Sequence, residues 1–138
     1  MSDSTRQLAD FCANLRFDDL PAHVVARCED LCLDWLGSAL AGSRQHPTAA
    51  FERHAAAMGP ARGDAEILSS RATTSPYFAA FVNAASSHVV EQDDLHNSSV
   101  LHPATVVFPA VLALTQARGA SSRRCPSRAT RRRRTTSA

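Results

Sequence analysis

The chain has 138 residues, of which 44% are hydrophobic and 20% charged, and this composition suits one globular domain rather than two. Its longest apolar run covers nine residues, 106–114, whereas a membrane-spanning helix needs about 20, so we expect no transmembrane segment. The net charge of +2 combines −5 over residues 1–120, from eight arginines and thirteen acidic residues, with +7 over residues 121–138, from seven arginines and no acid.

Two amphipathic helices are predicted at the start of the chain. Residues 1–5 lack the basic and apolar regions of a signal peptide, so we expect a cytoplasmic protein. The second helix begins near Pro21, which suits a first turn, and ends at Gly42. The first helix, capped near residues 2–4, has an apolar stripe at i, i+3, i+4 and i+7, formed by Leu8, Phe11, Cys12 and Leu15.

The middle of the chain predicts two more helices around a short extended segment. Pro47 opens a third helix, which Gly59 closes. Residues 63–68 are too short and too close to glycine for a helix, so they form a small strand or an extended connection. Ser75 and Pro76 then start a fourth helix. We expect one apolar face on it, made of Tyr77, Phe78, Phe81, Val82, Ala85 and Val89.

An irregular polar loop is predicted between the last two helices. The helical period stops at Glu91 and resumes at Pro103, which opens a final helix that ends at Gly119. Pro109 lies inside this helix and should kink it, because proline cannot donate a backbone hydrogen bond. The predicted fold class is therefore all-α, a helical bundle with one polar loop.

Four cysteines, Cys12, Cys28, Cys32 and Cys125, form no Cys-x-x-Cys pair and match no zinc pattern. Cys28 and Cys32 are four residues apart and share a helix face. We expect these cysteines to be reduced in the cytosol and to behave as small buried hydrophobic residues.

The arginine-rich segment 121–138 has three interpretations. It is a basic arm that binds phosphates, a disordered tail without a partner, or a segment read in a shifted frame of GC-rich DNA. One back-translation of residues 125–129, shifted by one base, encodes Ala-Leu-Arg-Ala, which suits a helix. The shifted frame is the interpretation we favour, since a charge run by itself indicates little.

The polar loop concentrates the reactive side chains of the chain. Burying such groups without partners is costly, so they should face a cleft or one another. The alternatives are solvated or capping aspartates and a surface histidine. A metal site is a further alternative, but no known ligand spacing fits, so we predict none. The candidates are His88, Glu91, Asp93, Asp94, His96 and His102.

The same residues carry a resemblance to a known family. The string from His88 to Asp94, followed by His102-Pro103-Ala104 and an apolar helix, resembles the MmgE/PrpD family, which includes 2-methylcitrate dehydratase and cis-aconitate decarboxylase. Upstream, residues 8–11, 34–37 with 41–42, and 79–85 resemble its helices. The resemblance covers about residues 7–120, and it implies the N-terminal part of a longer helical domain.

The resemblance implies roles for the loop residues. His102 would be a general acid or base, with Asp93 and Asp94 orienting it, so these three are the predicted catalytic residues. Glu91, His96 and His88 are the predicted substrate-binding residues. The backbone N–H groups after Pro103 would bind a substrate carboxylate. Neither a metal nor a cofactor is implied.

Two positions depart from the family pattern and put the substrate in doubt. Glu91 replaces the leading aspartate of the family, which moves the carboxylate by one methylene. Leu95 stands where the family often has threonine, and leucine cannot donate a hydrogen bond. A basic lysine and a second histidine of the family have no counterpart here.

The functional hypothesis is a lyase, a dehydratase or decarboxylase of small polycarboxylates, with residues 1–120 forming a partial helical domain that is inactive alone. The resemblance also implies a homodimer. From the short apolar runs and the weak evidence of a charge run, we expect neither a membrane nor a nucleic-acid partner. Two alternatives stay open. One is a small helical binding protein that uses the arginine-rich segment on nucleic acid or acidic partners, and the other is a nonfunctional truncated product.

We predict that residues 121–138 have no stable tertiary packing. They contain no Leu, Ile, Val or Phe, so they bury too little apolar area to offset the entropy of ordering. Hydrogen exchange should show fast amide exchange throughout this segment. Strong protection there would contradict the prediction.

Overall fold

The computed structural model of the chain describes residues 3–119, so Cys125 and the segment 121–138 lie outside the described residues. Within that range the predicted all-α class is confirmed, because a two-stranded sheet of four residues is the only sheet. The elements are α1 Ser4–Asn14, α2 Ala22–Gly42, α3 His46–Met58, β1 Ala65–Glu66, β2 Thr73–Thr74, α4 Pro76–His88 and α5 Pro103–Ala117. None of these helices is long and apolar enough to cross a bilayer.

The helix starts follow local signals in the sequence. The Asp3 side chain accepts a hydrogen bond from the backbone N–H of Arg6 at 3.1 Å and so caps α1. Proline occupies the first turn of α3, α4 and α5, where its missing N–H costs nothing. Pro21 is the N-cap of α2 and lies one residue before the helix. All five starts fall within two residues of the predicted ones.

A small hairpin joins α3 to α4. β1 pairs with β2 in antiparallel register, with Ala65 opposite Thr74. The buried side chain of Asn83 on α4 holds β1 in place: its amide donates to the Glu66 carbonyl at 2.9 Å, and its oxygen accepts from the Leu68 N–H at 2.8 Å. The sequence predicted the extended segment at 63–68 but not β2, because two threonines give no alternating pattern.

Helix α4 is the centre of the bundle and packs against α2, α3 and α5. Its buried residues are Ala79, Val82, Asn83, Ser86 and Ser87, of which Val82 belongs to the predicted apolar face. Phe78 and Phe81 of that face are partly buried against the core, whereas Tyr77 is 71% exposed. Small side chains occupy the buried positions because they let the backbones of the neighbouring helices approach closely.

The core is confined to part of the described chain. The buried residues of α2 all lie in its C-terminal half, from Trp35 onward, and α1 has none. The prediction that the cysteines are buried is therefore wrong for Cys12 and Cys28, which are exposed because the helix stretches that carry them are not covered by the core. Cys32 is half-buried, and burial raises the pKa of its thiol.

The contact between α2 and α4 generates a prediction about two glycines of the same helix. A Cβ at Gly42 would collide with the backbone carbonyl of Ser86 and with Val89, whereas a Cβ at Gly37 would meet open space. We expect Gly42→Ala to lower the free energy of unfolding by about 1–3 kcal/mol through overpacking.

Gly37→Ala is the matched control, and we expect it to raise the free energy of unfolding by about 0.5–1 kcal/mol, because alanine is the better helix former. Urea unfolding followed by circular dichroism measures both changes. Equal effects of the two substitutions would contradict the close approach of α2 and α4.

Candidate functional site

Three side chains lie close together at the loop between α4 and α5. One comes from the loop, and the other two come from its ends. His88 is the last residue of α4, His102 immediately precedes α5, and Asp93 lies in the loop between them. One carboxylate oxygen of Asp93, Oδ2, is 3.2 Å from Nδ1 of His88 and 3.1 Å from Nδ1 of His102. The sequence prediction that this loop is irregular and lies between two helices agrees with the structure.

Burial differs sharply among the three residues. The Asp93 side chain is fully buried, whereas the side chains of His88 and His102 are 47% and 28% exposed. The two imidazole rings are edge to face, with centroids 4.7 Å apart and an angle of 67° between their planes. The carboxylate is therefore shielded from solvent, whereas both imidazoles remain partly accessible.

The two imidazoles contact the carboxylate differently. His88 Nδ1 is within hydrogen-bond geometry of both Asp93 oxygens, at 3.2 Å each. His102 Nδ1 lies 3.1 Å from Oδ2 but is a buried atom that makes no hydrogen bond. A carboxylate at Nδ1 of His88 keeps the proton on that nitrogen and leaves the lone pair on Nε2.

Asp94 faces the start of α5 rather than the imidazoles. Its Oδ1 accepts a hydrogen bond from the backbone N–H of Ala104 at 2.8 Å. His102 is the N-cap residue by position, but its side chain does not cap the helix, so Asp94 does so from the loop. The sequence analysis expected the backbone N–H groups after Pro103 to bind a substrate carboxylate. One of them, the N–H of Ala104, is bonded to Asp94 instead.

The other two predicted site residues lie apart from the cluster. Nδ1 of His96 contacts Oγ of Ser99 at 2.8 Å, and the His96 N–H donates to the Leu101 carbonyl at 2.8 Å, which closes the loop. Glu91 is exposed and has a φ of +50°. Of the six predicted residues, His88, Asp93 and His102 come together, whereas Glu91, Asp94 and His96 do not join them.

Left-handed backbone occurs twice in this loop. Glu91 and Val100 both have a φ of +50°, and Val100 is β-branched, for which this conformation is a genuine outlier. Such conformations cost about 1–2 kcal/mol per residue and persist where the surroundings impose them. The hydrogen bond between the His96 N–H and Leu101 and the Asp94 cap are the contacts that impose the loop path here.

A cleft of about 640 Å³ lies between α2 and the loop. It is beside the cluster, since Asp94, His96 and Pro103 line it, but none of the three clustered residues does. Among its described lining residues Arg27 is the only permanent cation, against three aspartates. The sequence analysis missed Arg27, because a single arginine on a helix has no distinguishing pattern. The lining consists of Arg27, Asp30, Leu31, Asp34, Asp94, Leu95, His96 and Pro103.

Hydroxyl groups also connect α4 and α5 near the cluster. Ser87 Oγ and Thr105 Oγ1 are 2.7 Å apart, and Ser87 is fully buried. This contact fixes the position of His88, the next residue on α4, relative to the start of α5. No sequence signal identifies it, because the two residues are 18 positions apart and both are common in helices.

Comparison with known proteins shows similarity to one family. The model described as the MmgE/PrpD N-terminal domain matches residues 6–131. A cis-aconitate decarboxylase of Aspergillus terreus is 30% identical over 115 residues, which cover 83% of this chain and 23% of that protein. A cis-aconitate decarboxylase-like protein, oryM, of Aspergillus oryzae is 28% identical over 120 residues, or 87% of this chain and 25% of that protein.

The chain therefore spans about a quarter of the length of the curated relatives it matches. The family match ends at residue 131 and so includes part of the arginine-rich segment. No solved structure matches the chain.

The hydrogen bond from Asp94 to the start of α5 predicts that Asp94 stabilises the fold as a helix cap. We expect Asp94→Ala to lower the free energy of unfolding by about 0.5–2 kcal/mol, the usual cost of losing a helix cap. Asp94→Asn keeps an oxygen that can accept from the Ala104 N–H, so we expect a smaller loss. Chemical unfolding measures both, and an Asn variant as unstable as the Ala variant would contradict the capping role.

Proposed function

Since the chain belongs to the MmgE/PrpD family, we propose that it carries part of the active site of a lyase, a dehydratase or decarboxylase, that acts on small polycarboxylates such as cis-aconitate or 2-methylcitrate. Two relatives whose names include cis-aconitate decarboxylase support this reaction class. The observation that carries the proposal is the buried Asp93 carboxylate beneath two partly exposed imidazoles.

His102 is the proposed acid and base. Imidazole is the side chain that most often both donates and accepts protons in enzyme active sites. In a decarboxylation, the bond to a carboxylate carbon breaks, carbon dioxide leaves, and the electron pair stays on the adjacent carbon. That carbon takes a proton from the imidazolium, and the neutral imidazole regains one from solvent. In a dehydration, the neutral imidazole removes a proton from carbon, and the imidazolium so formed returns that proton to the departing hydroxyl oxygen, which leaves as water.

Asp93 and His88 have supporting roles in this proposal. The buried Asp93 carboxylate lies 3.1 Å from Nδ1 of His102, so it stabilises the positive charge that the ring carries when it is protonated. His88 already occupies both Asp93 oxygens through its Nδ1–H, which fixes the carboxylate in one orientation. Asp94 acts at a distance, since its cap holds the start of α5 and thereby the His102 backbone.

Substrate binding is the incomplete part of the site. A small polycarboxylate has two or three negative charges, whereas the cleft beside the cluster offers Arg27 and His96 against three aspartates. Glu91 is exposed at the rim of the loop and adds a further negative charge. We therefore propose that additional cationic residues come from outside the described residues, either from a longer chain or from a second copy in a homodimer.

We predict that the isolated chain does not turn over cis-aconitate, citrate or 2-methylcitrate. The cleft offers few cationic residues to the carboxylates of the substrate. In addition, a catalytic group that is displaced from its position can cost about a hundredfold in rate. Substrate loss is followed with the purified chain after its helical circular dichroism signal is confirmed. Turnover that His102→Ala abolishes would contradict the predicted inactivity and show that the chain is itself an enzyme.

The reaction class is tested by placing this chain in a complete protein. Residues 6–120 replace the matching segment of the Aspergillus terreus cis-aconitate decarboxylase, and decarboxylation is measured. We expect activity that falls by about 10²–10⁴-fold in His102→Ala, the usual contribution of a general acid or base. His23→Ala, at an exposed position of α2, is the matched control and should change little. A folded chimera without turnover, or one insensitive to His102→Ala, would contradict the proposal.

A further inference from the structure

The cluster of His88, Asp93 and His102 has the composition of a metal site. Each residue offers one ligand atom, and the three atoms lie within 4.8 Å of one another. Two imidazoles and one carboxylate are a ligand set that zinc sites with three protein ligands use. The sequence predicted no metal because the spacing of 5 and 9 residues along the chain matches no known motif. The fold brings the three together by placing His88 and His102 at the facing ends of two packed helices.

The distances fit a cation between the three atoms. Zinc binds imidazole nitrogen and carboxylate oxygen at about 2.0–2.2 Å, so two ligands of a tetrahedral ion are about 3.4 Å apart. The observed separations from Asp93 Oδ2 are 3.2 Å to His88 Nδ1 and 3.1 Å to His102 Nδ1. Both separations from Oδ2 are therefore close to the ligand spacing of a tetrahedral ion, and all three atoms lie within 4.8 Å of one another.

The unpartnered nitrogen of His102 is an independent observation. Nδ1 of His102 is buried and makes no hydrogen bond, although Asp93 Oδ2 is 3.1 Å away. Leaving a buried polar atom without a partner is costly. A cation bound at this nitrogen would supply the partner that it lacks.

We propose that His88, Asp93 and His102 form a binding site for one divalent transition-metal cation of the zinc class. This inference goes beyond the proposed lyase function and does not rest on it. His88 and His102 are partly exposed, so an ion can reach the cluster from solvent. Imidazole ligands select transition metals such as zinc over magnesium and calcium, which prefer all-oxygen sites.

Metal binding and proton transfer at His102 exclude each other. An imidazole that binds a cation through Nδ1 keeps its proton on Nε2, so that nitrogen cannot act as a base. The cation also occupies the carboxylate that would stabilise an imidazolium. Bound zinc would therefore switch off the proposed acid–base chemistry rather than take part in it.

The test is a titration of the metal-free full chain with zinc chloride by calorimetry, repeated with cobalt chloride by visible absorption. We expect one equivalent to bind and a tetrahedral cobalt spectrum. His88→Gln, His102→Gln and Asp93→Asn should each lower the affinity at least tenfold, since even residues that only support a metal ligand contribute 10–100-fold. Magnesium chloride should not compete.

Two matched controls separate this site from other ligand-type residues. His96→Gln removes an exposed imidazole of the same loop, and it should leave the zinc affinity unchanged. The double variant Cys28→Ser and Cys32→Ser removes two thiols that share a face of α2, and it should also leave the affinity unchanged. Loss of binding in either control, with the cluster variants unaffected, would overturn the proposal.

A measurement on the unsubstituted chain covers the case in which a cluster variant fails to fold. Nitrogen NMR of the imidazoles should show that one equivalent of zinc shifts Nδ1 of His88 and His102 and leaves the other four histidines unchanged. The absence of zinc binding, or shifts confined to other histidines, would overturn the proposal. Because both readouts are independent of turnover, failure of the metal site and failure of the lyase proposal are distinguishable.

Discussion

The arrangement of this site depends on burying one carboxylate. Removing Asp93 from water is unfavourable unless polar partners replace the lost hydration, and the partners here are imidazoles at the facing ends of α4 and α5. The contact therefore couples the position of the loop to the packing of two helices. It also explains why the three residues form a cluster although they are spread over fifteen positions of the chain.

Close helix packing by small residues supports that cluster. Gly42 of α2 lies against the Ser86 carbonyl of α4, and Ser87 reaches the Thr105 hydroxyl of α5. These contacts surround the C-terminal end of α4, where His88 is the last helical residue. Asp94 completes the arrangement by accepting a hydrogen bond from the backbone N–H of Ala104 in the first turn of α5. The imidazoles are thus held by the bundle core on one side and by the loop on the other.

A large apolar surface remains exposed around this ordered site. Leu8 and Phe11 on α1 are 63% and 61% exposed, and Val106 on α5 is 61% exposed. Apolar side chains also line a cleft of about 720 Å³ between α4 and α5. Exposed apolar side chains favour association. They agree, as does the acidic lining of the cleft beside the cluster, with our proposal that further residues complete the site.

The amino-acid sequence by itself determined the helices, the polar loop and the family. Prolines and capping residues act within one turn of where they stand, so the starts of α3, α4 and α5 were predictable from short stretches of sequence. The loss of helical period likewise located the loop, and the motif ending in His102-Pro103 located the family.

Only the tertiary structure decided which residues meet. Whether a carboxylate reaches an imidazole or a backbone N–H depends on how two helices pack, and this is why Asp93 joined the histidines while the neighbouring Asp94 capped α5. The buried positions of α4 were decided in the same way, because α2 approaches Ser86 and α5 approaches Ser87, whereas Phe78 and Phe81 are only partly buried. Hydrophobic periodicity identifies a helix and its apolar stripe, but the surface that covers the stripe comes from residues distant in the chain. The exposed stripe of α1, which has no buried residue, is the clearest case in this protein.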